Sequence, residues 1–421
     1  MTGRQLQLEW ALLWRGTAAP LGVALLLVAG LFALRHGTTV IGRQDATLAG
    51  SAARQAAQQS HILGPLPASA IAGDQFYYLE YHTERHPSPW ARLAIGQRDV
   101  QAYNLKIRLL ALQGQLYASD LGHPLLASLG QFDLAFVIVV LSTLLLIALT
   151  YNLWSGEMEL GTWPLLQAQP TAPWRVLLRR AVLRVLLVVV PLLGLLGLAV
   201  FMAGVPLDLT WFRMAAATVA YVLAWMAAVL VVAAWRRSSE VNVLVLLGLW
   251  VFWTALGPAL VSVAAASRFP LPEALELTVL QRQGYHSAWD EPLPDVMEAF
   301  YRRYPEWRGS TVPSGRYSNA WYYAMQERGD EAARGAAARY RQSLEARDRW
   351  VQRVSWLLPP AALQQWLMRE ARTDLQAHLA YLDSVAAYHE ALKRVAFPMI
   401  FDDRPASAVD WTAFPSHRHH D

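Results

Sequence analysis

Five stretches of this chain run without a single Asp, Glu, Lys or Arg: Gly16 to Leu34, Leu134 to Asn152, Val185 to Leu207, Met214 to Trp235 and Val241 to Ser267. They hold 19, 19, 23, 22 and 27 residues. An α-helix rises about 1.5 Å per residue, so about 20 apolar residues cross the roughly 30 Å of hydrocarbon in a bilayer. A soluble core can supply one buried run of this length, but five point to a mainly α, polytopic helical membrane protein. Trp10, Trp14 and Arg15 flank the first run as interfacial residues, and no small-residue cleavage site follows it directly. The first run is therefore read as a retained helix and not a signal peptide. With 55% hydrophobic residues, no glycine period and no cysteine, the chain is neither disordered, collagen-like nor a disulfide scaffold.

Basic residues in short connections mark the cytoplasmic side. Arg175, Arg179, Arg180 and Arg184 lie between the second and third runs, and Arg236 and Arg237 between the fourth and fifth. Both connections are expected inside, and alternation puts the two long segments outside. The chain then divides into an interfacial segment and first transmembrane helix (1–35), a first extracytoplasmic segment (36–132), a four-helix membrane region with a cytoplasmic loop at 153–180 (133–267), and a second extracytoplasmic segment (268–421). Five spans that start inside leave the C-terminus outside, and no sixth apolar run returns the chain.

Ala and Gln in quantity without proline predict that a helix continues out of the first span over Thr38 to Ile62, until Pro65 and Pro67. Val100 to Leu116 reads as a strand or a helix. In the second segment, apolar residues three and four apart predict helices over Pro272 to Gln283, Pro294 to Arg303, Asn319 to Gln326, Asp330 to Trp356 and Pro360 to Leu392, with prolines and Gly329 as punctuation. Within the last two stretches, Val354 to Met368 is uncharged but too short to cross, and reads as an amphipathic helix and turn. A connection of 97 residues is too long for a free loop, so the two segments are expected to pack as one mostly helical domain.

The chemistry excluded is informative. A P-loop needs a lysine followed by Ser or Thr, but the two lysines precede Ile107 and Arg394. This chain cannot hydrolyse ATP by that route. His82, Glu84 and His86 miss the spacing that puts two zinc-ligating imidazoles on one helix face, and Pro87 argues against a helix there. The end of the chain, with His417, His419, His420 and Asp421, could chelate a divalent ion but reads better as a frayed, solvated terminus. No Gly-x-Ser-x-Gly elbow occurs, thiol chemistry is absent, and none of the five runs holds a carboxylate for a proton path. No metal site, no cofactor and no nucleic-acid partner is expected for this chain.

One constellation stands out directly after the second run: Ser155, Gly156, Glu157, Met158, Glu159, Leu160, Gly161, Thr162 and Trp163, then Leu165, Leu166, Gln167, Gln169 and Pro170. Two carboxylates at the start of a short helix suit its positive N-terminal dipole, while Gly161 and Pro170 bound a compact element. Arg175, Arg179 and Arg180 follow, placed to meet anionic lipid head groups and, with Arg236 and Arg237, to set topology. By itself the pattern is equally well a capped helix beside topology-setting arginines.

This stretch resembles the permease subunits of ABC-2 type transporters, in which the same loop carries the coupling helix that contacts the ATPase. Upstream, Gly96, Gln97, Arg98, Asp99 and Gly130 to Val137 resemble a subgroup with large extracytoplasmic insertions, relatives of permeases linked to multi-copper enzyme maturation. Downstream, Tyr285, His286, Ala288, Trp289, Asp290 and Pro292, then Tyr304 to Trp307 and Trp321 to Ala324, resemble that subgroup's second insertion. Members usually return through a sixth span, from which this chain departs.

The resemblance implies a non-catalytic subunit of an exporter in the bacterial inner membrane, working with a separate ATPase that holds ATP and Mg and with a second permease, identical or a sister. Glu157, Glu159, Gly161, Thr162, Leu165, Gln169 and Pro170 would form the docking loop. Two rivals stand beside it: a membrane scaffold coupled to an ATPase without translocation, and an integral membrane enzyme using residues such as His82, Glu84, His286 and Asp290.

Overall fold

A computed structural model describes residues 9–11, 13–64, 66–117, 132–168, 172–271, 274–309 and 317–421. The protein is mainly α. Among the described residues, five helices are long and apolar enough to cross a bilayer: Ala18–Leu63, Leu134–Glu159, Pro173–Met202, Leu209–Ala233 and Ser239–Arg268. They are called here the first to fifth spans. At 46 residues the first exceeds any bilayer, so it emerges as a stalk that carries the chain into the extramembrane domain.

Short polar residues fix where these helices begin. Asp208 accepts hydrogen bonds from Thr210 N (2.9 Å) and Trp211 N (3.2 Å) at the start of the fourth span. Asp133 accepts from Phe136 N at the start of the second and also from Ile95 N, both at 2.9 Å, pinning the first extramembrane segment to the bundle. Burial raises the Asp133 carboxyl to about 6, while its backbone hydrogen bonds oppose that rise. Within the second span, Val137–Leu141 form a π-turn. Carbonyls there accept from neighbouring spans: Val139 O from Tyr221 Oη at 2.8 Å, and Val140 O from Trp250 Nε1 at 3.4 Å.

The spans share one apolar core, led by the second, third and fourth; the fifth lies at its edge, with 11% of its most apolar stretch buried against 67% for the second. A second core is extramembrane. It draws Ala72, Phe76, Tyr81, Ile107 and Leu116 from the first segment and Phe300, Tyr323, Tyr381, Leu392 and Phe397 from the second, so the two segments build one domain.

Seven helices outside the membrane cores of the spans matter below. α1 (Ser155–Glu159) is the last stretch of the second span, and α2 (Trp163–Gln167) lies between it and the third. The domain contributes α3 (Ala274–Ser287), α4 (Leu293–Arg303), α5 (Asn319–Ser355), α6 (Pro359–Glu370) and α7 (Leu375–Phe401). The helix continuing out of the first span, expected over Thr38 to Ile62, is present to Leu63. Val100 to Leu116 forms neither one strand nor one helix but a two-residue strand, Lys106–Ile107, and a short helix, Gln113–Tyr117.

Gly329 does not interrupt the second segment's longest helix. α5 runs unbroken for 37 residues, capped by Ser318 Oγ accepting from Trp321 N at 3.2 Å. The glycine is a packing device: a Cβ there would stand 2.9 Å from the Gln281 carbonyl of α3. The stretch Pro360 to Leu392 is two helices and not one. Arg372 takes a positive φ of 57°, and Asp374 then caps α7 through Ala377 N at 3.3 Å.

The terminus also departs from the solvated end expected. β4 (His419–His420) pairs in parallel with β2 (Arg85–His86), and β1 (Tyr81–His82) pairs antiparallel with β3 (Lys106–Ile107). The Asp421 carboxylate is buried between two fully buried guanidiniums, at 2.9 Å from Arg85 Nε and 2.6 Å from Arg98 Nη1. His86 stacks on His420 with centroids 4.9 Å apart. Two buried charges that must be matched hold the terminus in place.

Candidate functional site

The end of the second span and its connection to the third fold as the two short helices α1 and α2 joined at Gly161, whose φ of +69° is the left-handed conformation that favours glycine. Trp154 anchors it. Its ring stacks on Trp163 at 5.2 Å and lies under the Arg236 guanidinium at 5.3 Å, so the fourth-to-fifth connection closes over the second-to-third one. The two arginine-bearing connections therefore occupy one end of the bundle.

The two glutamates act within the chain. Glu157 accepts from Arg180 and from the Thr162 hydroxyl, and Arg180 Nε also reaches Glu9 Oε1 at 2.9 Å. One guanidinium thus ties the flank of the first span, the start of the third and α1 together. Glu159 sits at the end of α1 and serves another helix. Its carboxylate accepts from Ser239 N (2.6 Å) and Ser239 Oγ (2.8 Å), satisfying an otherwise orphan amide where the fifth span begins. Ser155 Oγ lies 2.8 Å from Ser239 Oγ and accepts from Asn242 Nδ2 at 3.3 Å. Both carboxylates were expected to serve their own helix N-terminus. Only Glu157 lies in that first turn, because α1 is five residues long and Glu159 ends it.

With Glu157 half-buried against Arg180 and the exposed Glu159 engaged by Ser239, an apolar face is left outward. Leu160 is 77% exposed and Leu165 68%, beside exposed Met158, while Leu166 is buried beneath them. Gly161 is exposed at the bend, and Thr162 is half-buried over Glu157. Gln169 and Pro170 lie outside the described residues. Arg175 is exposed and stacks over Trp174 at 5.4 Å, Arg179 is half-buried, and Arg237 is exposed. The structure thus gathers Glu157, Thr162 and Arg180 into one cluster, ties Glu159 to Ser239, sets the exposed Arg236 over Trp154, and leaves Leu165, Arg175 and Arg237 on the surface.

Glu9, Trp154, Ser239 and Asn242 belong to the cluster but were not singled out from sequence. Asn242 left a trace, as a polar residue near the start of an otherwise apolar run. Ser239 left none, since its role depends on a carboxylate 80 positions away.

Elsewhere, His82 and Glu84 are buried and His86 is half-buried. Glu84 joins Ser51 Oγ and lies 3.0 Å from His86 Nε2. Burial, then Lys106 and Arg54, lower the His82 pKa against the opposing pull of Asn104 and Glu80. Burial holds His417 down at about 4, and its Nδ1 accepts from Glu84 N at 3.2 Å. Among the described residues, no group of three His, Cys, Asp or Glu side chains could hold a metal ion.

Compared with known proteins, residues 275–420 match the model of a domain of unknown function, DUF3526. No curated protein and no solved structure matches the chain. The matched region is the second extramembrane segment, so the spans and the cluster around α1 and α2 lie outside it.

Proposed function

We propose that the protein is a membrane-spanning, non-catalytic subunit of an ATP-driven exporter of the ABC-2 type, in which α1 and α2 receive a separate ATPase. One observation carries this reading: a compact two-helix element stands at the basic end of the bundle, exposing Leu160 and Leu165 while its carboxylates clamp it to the flank of the first span and to the third and fifth spans. An element meant only to connect two helices has no need of exposed leucines on a clamped frame. An element that must pass on a push needs both a docking face and rigid ties to the parts that move.

The basic residues of the two short connections favour the cytoplasm for this end and the outer face of the bacterial inner membrane for the large domain. ATP and Mg then belong to the partner, and two such subunits, identical or sisters, form the path. The ATPase state would bias the loop, and the fifth span, tied to it at Ser239 and loosely packed elsewhere, would carry that bias toward the domain.

The test is retention of a P-loop ATPase by the tagged protein purified from its native membranes. Changing Leu160→Glu together with Leu165→Glu is expected to abolish retention and ATP-driven accumulation in vesicles, with thermal unfolding unchanged because both side chains are exposed. Undiminished retention would overturn the docking assignment. ATPase stimulation without accumulation would favour the scaffold.

A further inference from the structure

The corner between α5 and α6 presents two consecutive large apolar side chains, Trp356 at 76% and Leu357 at 75% exposure. Their neighbour Leu358 is buried, and its Cδ2 lies 2.8 Å from where a Cβ on Gly257 of the fifth span would stand. That contact fixes the corner's depth. From Val241, the first residue after the charged start of the fifth span, to Gly257 is 16 residues, a rise of about 24 Å against about 30 Å of hydrocarbon. Leu358 is thus level with the domain-side edge of the apolar layer.

The other end of α6 gives the same level independently. Leu363 and Leu367 belong to the core of the spans, and Leu367 lines one small cavity with Leu134, Ile138 and Met214. Met214 lies just past Trp211 and Phe212, an aromatic pair where the fourth span begins. Arg213 there bonds Glu370 at 2.5 Å and lies 5.9 Å from the Trp366 ring. α6 therefore lies across the ends of the second, fourth and fifth spans, within the first turns of the membrane.

We propose that the α5–α6 corner is a lipid anchor, with Trp356 and Leu357 seated in the domain-side leaflet at the boundary of phospholipid head groups and acyl chains. The indole suits that boundary, being apolar in body with one N–H donor. Arg353, exposed one turn up α5, and Arg268, exposed at the end of the fifth span about 16 Å beyond Gly257, lie on the head-group side of the corner. The occupant is lipid because the corner continues the apolar belt of the fifth span, whose Leu256, Leu260 and Val263 are exposed alongside it. The anchor would hold the foot of α5 at the membrane while its other end, about 55 Å away at 37 residues of helix, carries the domain core.

The chain's lack of cysteine makes the test direct. Full-length protein carrying Leu357→Cys, and separately Trp356→Cys, is labelled with an environment-sensitive fluorophore in phosphatidylcholine–phosphatidylglycerol nanodiscs. Arg334→Cys, exposed about 32 Å up α5, is the control. A corner seated about 5–10 Å into the boundary is expected to lose about half its emission to phospholipid bearing an acyl-chain nitroxide and to resist iodide, while the control responds to iodide alone. Quenching of both corner probes by iodide to the control's level overturns the proposal. So does silence toward both quenchers, the result if a second copy of the chain covers the corner.

Discussion

Changing Asp421→Ala removes the only carboxylate that the Arg85 and Arg98 guanidiniums share among the described residues, and both are fully buried. Two like charges would then face each other without their shared counter-charge. Breaking a buried pair costs about 3–5 kcal/mol. The lower end applies, because each guanidinium keeps neutral acceptors: Arg85 has Gln101 Oε1 at 3.2 Å and the Arg372 carbonyl at 2.9 Å, and Arg98 has Gln44 Oε1 at 2.9 Å. Burial and the adjacent Arg85 charge already lower the Arg98 pKa to about 10 despite the pull of Asp421. At about 2–4 °C per kcal/mol for a domain of 150–250 residues, a loss of about 3 kcal/mol lowers the domain's unfolding midpoint by about 6–12 °C. Intrinsic tryptophan fluorescence during heating of the detergent-solubilised protein reads this shift. Asp421→Asn, which keeps an acceptor but no charge, should fall between. A shift below about 2 °C for Asp421→Ala, or an Asn variant equal to wild type, would refute the claim that charge compensation holds the terminus.

Two further outcomes follow from the same domain. His389 is fully buried with Nε2 donating to the Arg108 carbonyl at 3.0 Å, and burial followed by the Lys393 charge depresses its pKa to about 3. Its folded value lies below the unfolded one of about 6.5, so the neutral form stabilises the fold above pH 6.5 and that stability drains away toward pH 3, with about 2 kcal/mol gone by pH 5. His389→Gln should flatten the pH dependence of the unfolding midpoint between pH 7 and 5, and an equally steep variant would contradict the assignment. Gly329→Ala gains about 1 kcal/mol of helix propensity but sets a Cβ at 2.9 Å from a backbone carbonyl that cannot swing aside. Overpacking costs about 1–3 kcal/mol, so the net effect in urea titration is a loss of about 1 kcal/mol, and a stabilised variant would show that α3 yields.

The intramolecular bonds of Glu157 and Glu159 change what their loss would mean. Replacing both by Ala would loosen α1 from the third and fifth spans, whereas replacing Leu160 and Leu165 would alter only the exposed face. If a partner docks here, the glutamate variant should bind it with a slackened element, and the leucine variant should not bind it at all. The two readouts separate positioning from contact.

Much of the fold was legible in the sequence because its causes are local. Uncharged runs of sufficient length specify membrane helices whatever surrounds them, and the apolar spacing from Asn319 onward marks a helix that does start there. Gly329 misled because a glycine within a helical pattern reads as a break, and only the approach of α3 reveals it as a contact point. The histidine-rich terminus misled for a related reason. Polarity and position suggest solvent, but Arg85 and Arg98, more than 320 residues earlier, require a buried counter-charge. Sequence could likewise place two glutamates and a set of arginines near a short helix, but not assign Glu159 to Ser239 or turn Leu160 outward. Hydrophobic length and capping act over a few residues and are written in order along the chain. The pairing of buried charges, and the choice of which face of a short helix stays exposed, depend on which distant segments meet, and that is settled only when the cores close.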